Sequence, residues 1–323
     1  MRAIVISKPG GPDVLQLVER PAPEPARGEV RVRVRATAVN RADLMQRMGL
    51  YPAPADAPAD IPGLEYAGEV EALGDGVTRL AIGDRVFGLA GGGTYAEQLV
   101  AHERACAKIP DGMTFEDAAA IPEAFITAHD AIVGQAGLRG GETLLVHAVG
   151  SGVGTAAVQL GRALGVFTIG TARTADKLAR ARPLGLDAGV VAANNQFADA
   201  VRKHGEPQVV LELIGGPYFD EDIRAIAPLG RIVLVGLLAG GRNEVDLGGI
   251  LRKRLRVFGT VLRARPLEEK IAAMRAFEAQ VVPLLQRGLI KPVVDTVLDL
   301  DAAGEAHARM ASNAGFGKIV LRC

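Results

Sequence analysis

The sequence has few cysteines, no tryptophan, no excess charge of either sign and no long apolar run. Its two cysteines, Cys106 and Cys323, cannot build a disulfide framework, and neither belongs to a CxxC pair. The 37 basic side chains are matched by 37 acidic ones, so no whole-chain attraction to nucleic acid or an anionic membrane arises. The longest apolar stretch, Ile232 to Ala239, is interrupted by Gly236 and is far shorter than the roughly 20 residues that cross a bilayer. The N-terminal Ala3-Ile4-Val5-Ile6 run is too short for the apolar region of a signal peptide. GxSxG, HExxH and P-loop lysine motifs are missing, which removes support for hydrolase and kinase chemistry. The expectation is a soluble protein of a reducing compartment, the cytoplasm.

Apolar residues and glycine are abundant. A hydrophobic share of 49% over 323 residues supports a sizeable core and two domains. The 40 glycines follow no strict period, which excludes collagen and solenoid arrays.

The first hundred residues read as mostly β. In Val30-Arg31-Val32-Arg33-Val34-Arg35-Ala36, apolar and charged residues alternate, burying one face and leaving the arginines on a solvated one. Glu69–Leu73, Arg85–Leu89 and Tyr95–Val100 continue the pattern, and a proline-rich loop runs from Tyr51 to Pro62. From about residue 122, strands alternate with helices. A strand over Leu144–Ala148 precedes a helix over Gly152–Leu164, ended by Gly165. A strand over Val166–Gly170 precedes a helix over Ala175–Ala181, which Pro183 cuts short. Strands over Val209–Leu213 and Ile232–Val235 flank a helix from about Tyr218. Such alternation makes βαβ units and a parallel sheet covered on both faces. The tail offers a helix over Leu267–Gln286, a strand over Val293–Leu298, a helix over Ala302–Met310 and a last strand over Lys318–Leu321. The fold class is α/β: a doubly wound domain over 122–262, inserted in a mostly β domain made of 1–121 and 263–323.

Chemistry concentrates at Ala148-Val149-Gly150-Ser151-Gly152-Val153-Gly154, between a strand and a helix. Backbone can approach a pyrophosphate there, and the helix start supplies unpaired N–H groups and a positive dipole end. The motif departs from GxGxxG, with Val149 and Ser151 at the first two glycine positions. An NAD site places an acid roughly 20 residues further on, but that position is Thr174. Arg173 and Lys177 lie there instead, suited to a 2′-phosphate and hence to NADPH.

Several further stretches carry a resemblance: Val39-Asn40-Arg41-Ala42-Asp43-Leu44-Met45-Gln46-Arg47, Pro62-Gly63-Leu64-Glu65-Tyr66-Ala67-Gly68, Ala119-Ala120-Ile121-Pro122-Glu123-Ala124, and the terminal Gly317-Lys318-Ile319-Val320-Leu321. With the glycine turn, they make the chain resemble the zinc-free quinone oxidoreductase branch of the medium-chain dehydrogenase/reductase superfamily over nearly its full length. The resemblance implies a GroES-like catalytic domain, a Rossmann domain, NADPH as cofactor and a homodimer or homotetramer. It implies catalytic roles for Asn40, Tyr51 and Asp43, with Asn40 lining the substrate pocket and Tyr51 in a loop that closes over the nicotinamide. Thr127 matches a threonine near the nicotinamide. The cofactor-binding set is completed by Gly150, Ser151, Gly152, Val153, Thr171, Arg173, Lys177, Gly236, Leu238 and Arg263. Zinc-dependent members carry a cysteine where Asn40 stands and a Gly-His-Glu where Gly63-Leu64-Glu65 stands, so no metal is expected. His102 and Cys106 lack a companion pair for zinc. Physics alone makes Asn40 a helix N-cap and Asp43 a first-turn acid, Glu65 a buttress, and His129, His147, His204 and His307 satisfied structural histidines. The small residues Gly91–Thr94 are expected to leave room for a flat substrate.

The expected reaction is hydride transfer from NADPH to a quinone. Reduction of α,β-unsaturated carbonyls or enoyl thioesters needs the same fold and cofactor, and an NADPH-sensing binding protein is the non-enzymatic alternative. Neither nucleic acid nor membrane is expected as a partner.

Overall fold

The valine–arginine alternation folds into a ten-residue strand whose valines are buried. The computed structural model describes residues 1–192 and 194–323. They form two compact units, one of residues 1–126, 262–286 and 291–323, the other of 127–261 and 287–290. The chain leaves the first unit after Ile126, five residues beyond the expected 121, because Pro122–Ile126 packs with that unit's strands and with the helix Leu267–Gln280.

In the first unit, β1 (Arg2–Ile6) and β2 (Leu15–Glu19) pair antiparallel. Then come β3 (Glu29–Ala38), β4 (Glu65–Leu73), β5 (Arg85–Leu89), β6 (Gln98–His102) and β7 (Cys106–Lys108). The arginines of β3 carry carboxylate partners across the ladder, Arg31 and Arg33 on Glu71 and Arg35 on Glu69.

The second unit holds β8 (Thr143–Val146), β9 (Phe167–Ala172), β10 (Ala188–Val191), β11 (Val209–Glu212), β12 (Arg231–Leu234) and β13 (Arg256–Gly259). They pair in parallel in the order β10-β9-β8-β11-β12-β13. This is the doubly wound Rossmann order, which places a crevice at the carboxyl ends of β8 and its neighbours.

The chain returns to the first unit with β14 (Val294–Asp299) and β15 (Lys318–Arg322). These complete a seven-stranded sheet in the order β14-β15-β3-β4-β5-β7, with β6 on β3. The helix expected over 267–286 is broken at Val281 into Leu267–Gln280 and Val282–Gln286. Among the described residues no helix is long and apolar enough to cross a membrane.

Candidate active site

The glycine turn opens at the end of β8. Ala148 takes φ 48°, a left-handed conformation that is strained for a residue with a side chain. Ser151 caps the helix Gly152–Leu164, its Oγ accepting from Gly154 N at 3.0 Å. A Cβ on Gly154 would lie 2.3 Å from Ala148 O, so only glycine lets the helix begin this close to the strand. Gly150 is buried, while Ser151, Gly152 and Val153 are half-buried. This thirteen-residue helix turns its first amides and positive dipole end toward the strand-end crevice.

At the end of β9, Thr171 is buried with its Oγ1 2.8 Å from His147 Nδ1. Arg173 follows, exposed, and Lys177 stands half-buried in the first turn of the helix Ala175–Ala181. No carboxylate occurs between Phe167 and Ala175. Beyond β12, Gly236 packs so closely on Leu213 that a Cβ would meet Leu213 O at 2.6 Å, and Leu238 is exposed. Thr127 is buried in a short helical turn packed with the helix Gly152–Leu164. Gly150 to Val153, Thr171, Arg173, Gly236 and Leu238 thus follow or end β8, β9 and β12 at one edge of a parallel sheet. The Gly154 close approach, the capped helix start and the basic second-strand end fit a dinucleotide carrying an extra phosphate.

In the first unit, Asn40 precedes the helix Arg41–Arg47, and Asp43 reaches back to accept from Asn40 N at 2.8 Å. Asp43 also accepts from Gly63 N at 3.2 Å and Tyr95 Oη at 3.2 Å, and burial pushes its carboxyl up to about 6. The sequence did not point to Lys318. Its ammonium, 4% exposed, donates to Asn40 Oδ1 at 2.5 Å and Val39 O at 3.0 Å, and pairs with Glu65 Oε1 at 2.6 Å. Asn40 Nδ2 donates to the same Glu65 oxygen at 2.8 Å and to Ala38 O at 3.2 Å. Glu65 Oε2 accepts from Glu123 N at 2.8 Å. Asn40 therefore spends its amide inside this network, and Glu65 buttresses β4 against the helical stretch that begins at Pro122.

Arg263 is buried and lies within the first unit. Its Nε donates to Gly91 O at 2.7 Å, Nη1 to Tyr51 O at 3.2 Å and Nη2 to Gln46 Oε1 at 2.5 Å, with its guanidinium carbon 5.0 Å from the centre of the Tyr51 ring. It ties the proline-rich loop to the Gly91 turn. The space expected around Gly91–Thr94 is taken by that loop: a Cβ on Gly91 would meet Pro54 Cγ at 2.9 Å, and one on Gly93 would meet Pro58 Cγ at 3.1 Å. A hollow of about 20 Å³ lies nearby, among Leu64, Leu89, Ala90 and Leu262 with Glu123, Arg263 and Lys270. Tyr51 is half-buried, and burial raises its phenol above the usual range.

The positions that hold zinc in metal-dependent relatives fall on Asn40, Leu64 and Glu65. An amide, an aliphatic side chain and a carboxylate already paired with an ammonium do not make a zinc donor set. Cys106 bonds Tyr66 Oη at 3.0 Å, and burial pushes its thiol up to about 11. His307 lies between Tyr95 Oη and Arg47, and burial pulls its imidazole down to about 3.

Two family models match the chain: an alcohol dehydrogenase GroES-like domain over residues 26–111 and a zinc-binding dehydrogenase over residues 152–279. The chain is 35% identical over 320 residues to a quinone oxidoreductase of Pseudomonas aeruginosa, covering 97% of this chain and 96% of that protein. Among solved structures, an NAD-dependent alcohol dehydrogenase superposes with a TM-score of 0.89 at 34% identity, covering 100% of both chains. The Escherichia coli quinone oxidoreductase complexed with NADPH gives a TM-score of 0.89 at 28% identity, also covering 100% of both chains. With a GroES-like unit, a Rossmann unit and these relatives, the chain belongs to the medium-chain dehydrogenase/reductase superfamily and is an oxidoreductase of that type.

Proposed function

We propose that the protein reduces a quinone with NADPH and without a metal. The observation that carries the reading is that Asn40, Asp43, Glu65 and Lys318 are spent on one another, beside a small hollow lined by Leu64, Leu89, Ala90 and Leu262 together with Glu123, Arg263 and Lys270. An alcohol or aldehyde needs a metal or a positioned proton donor at its oxygen. A quinone accepts hydride readily, and the resulting hydroquinone anion takes its proton from solvent.

Ser151, Gly152 and Val153 would hold the pyrophosphate, Arg173 and Lys177 the 2′-phosphate, and Thr127 the nicotinamide end. Bound there, the nicotinamide supplies hydride from its C4. The chain's contribution is orientation and exclusion of water: Arg263 fixes the proline-rich loop, and Leu64, Leu89 and Leu262 supply an apolar wall. The quinone oxidoreductase relatives support this substrate class. The NADPH-bound Escherichia coli structure supports the cofactor, as does the basic end of β9.

In this reading the protein works in the cytoplasm as a homodimer formed on β13, one of the two edge strands of its sheet among the described residues. An unpaired strand edge invites a partner, and Leu247, Leu251 and Val261 are exposed nearby in sequence. Light scattering reports the dimer, or the tetramer that would replace it.

The test is oxidation of NADPH with 1,2-naphthoquinone in the presence of chelator, with NADH and 2-alkenals in parallel arms. Rapid, chelator-insensitive oxidation favouring NADPH is expected. In Arg173→Ala/Lys177→Ala the preference for NADPH over NADH should fall by about tenfold or more, the size of one lost charge-assisted contact. Turnover of alkenals but not quinones would overturn the substrate class.

A further inference from the structure

The second unit buries three ionisable groups that the proposed reaction does not use. His147 follows β8, Glu212 ends β11 and Asp222 projects from the helix Tyr218–Ala225. All three side chains are fully buried, and one nitrogen or oxygen atom from each lies within 4.8 Å of the others. His147 Nε2 stands 2.7 Å from Asp222 Oδ1 and 3.9 Å from Glu212 Oε2, and its Nδ1 faces Thr171 Oγ1 on β9. Glu212 Oε1 accepts from Ile214 N and Gly215 N. The remaining oxygens, Glu212 Oε2 and Asp222 Oδ2, are buried without a hydrogen-bond donor, although the two carboxyl groups lie within hydrogen-bond reach.

Two bare carboxylates cannot stay this close in a dry core without a cation. Among the described residues the one basic group in ion-pair reach of either is His147, and burial lowers its imidazole, keeping it neutral. The rings of Phe197 and Tyr218 close over that imidazole, each 4.9 Å away between centres. Glu221, whose charge also acts on Asp222, is taken by Phe197 N, Ala198 N and Arg224. The charge of Arg173 acts on the Tyr218 phenol.

We propose that Glu212 and Asp222 share one proton across their orphaned oxygens, and that this acid pair, with His147, is a positioning element for the strand ends that carry the dinucleotide. A single proton gives both orphaned oxygens a partner and removes one of two like charges. The charge that remains is stabilised by the His147 Nε2–H and the amides of Ile214 and Gly215. A metal would need His147 Nε2, which is already committed to Asp222 at hydrogen-bond length. The assembly joins β8, β9 and β11 at their carboxyl ends, directly before the Ala148–Gly154 turn and two residues before Arg173.

Burial pushes both carboxyls up, to about 8 each. The folded chain therefore keeps a proton that the unfolded chain releases near pH 4, and the resulting stability declines as pH rises toward 8. Above that range two adjacent anions push the end of β11 and the helix Tyr218–Ala225 apart, and with them the His147 contact that holds β8.

The positioning role rests on the dinucleotide reading above; the shared proton does not. Infrared spectroscopy of the full chain at neutral pH tests the proton. The carbonyl band of a buried carboxylic acid is expected, and it should vanish in Asp222→Asn and in Glu212→Gln, each of which supplies an N–H in the proton's place. No such band in the native chain, or a stoichiometric divalent metal that is lost in Asp222→Asn, would overturn the shared proton. Binding of NADPH at pH 7 and pH 9 tests the positioning. Native affinity should fall about tenfold more than that of Asp222→Asn, the equivalent of one pKa unit of coupling; identical pH dependence would overturn this role. Failure of the native chain to bind NADPH at either pH would refute the dinucleotide reading and the positioning role, leaving the infrared result to decide the proton.

Discussion

In the first unit a buried carboxylate, Glu65, has the ammonium of Lys318 against it; in the second, the one basic side chain beside the buried Glu212 and Asp222 among the described residues is a neutral imidazole. The first arrangement is closed. Lys318 places its three N–H bonds on Asn40, Val39 and Glu65, and the second Glu65 oxygen takes an amide. The second leaves one oxygen of each carboxylate without a donor. A fixed cation makes a charge network insensitive to pH until the cation itself is lost, whereas a borrowed proton makes it sensitive over an ordinary range. The closed network lies beside the small hollow lined by Leu64 and Glu123, and the open one at the strand ends.

The largest effect comes from breaking the closed network. Lys318→Met leaves Glu65 buried without its cation and should cost about 3–5 kcal/mol of unfolding free energy, read by denaturant titration. Adding Glu65→Gln removes the stranded charge and should restore more than half of that loss. A single-variant loss below about 1 kcal/mol would mean that water reaches Glu65 and the pair is not closed.

A second effect comes from Asp43, the member of the first unit that does titrate. Its carboxyl is pushed up to about 6 by burial, against hydrogen bonds and the charges of Lys318 and Arg263 that lower it. A raised carboxyl means that the folded state holds the proton more tightly than the unfolded chain. The stability it gives is complete below about pH 4 and is lost as pH rises to 6. Asp43→Asn should therefore flatten the stability profile between pH 4 and 6, by about 3 kcal/mol for a shift of this size. Asp222→Asn should flatten it further up, toward pH 8. Coinciding windows for the two variants would show that the units do not differ as described.

What the sequence revealed follows from distance along the chain. The helix Gly152–Leu164 and the strand Arg85–Leu89 were legible to the residue because apolar periodicity and a terminating glycine are local signals. Strand β10, four residues containing a glycine, has no alternation to betray it. Lys318 meets Asn40 across 278 positions and His147 meets Asp222 across 75, and no local pattern encodes such meetings. The family resemblance named Asn40 and Asp43 but not the ammonium that occupies Asn40. It also assigned Arg263 to the cofactor, whereas this guanidinium holds Tyr51 O, Gly91 O and Gln46.

The smallest effect separates two roles for Tyr51. If its phenol were the acid that protonates the product, Tyr51→Phe would lower kcat by about 10²–10⁴-fold, the usual worth of a positioned acid. The proposed reaction needs no such acid. Burial also raises this phenol, so it holds its proton more firmly than an ordinary tyrosine, and the Arg263 guanidinium over the ring needs only the aromatic face. Tyr51→Phe should therefore keep kcat within about tenfold of native. Arg263→Lys keeps the charge but loses the fork that ties the loop, and it should raise the quinone KM several-fold with little change in kcat. A steep fall in kcat for Tyr51→Phe would make the phenol a catalytic acid and undercut the observation on which the quinone reading stands.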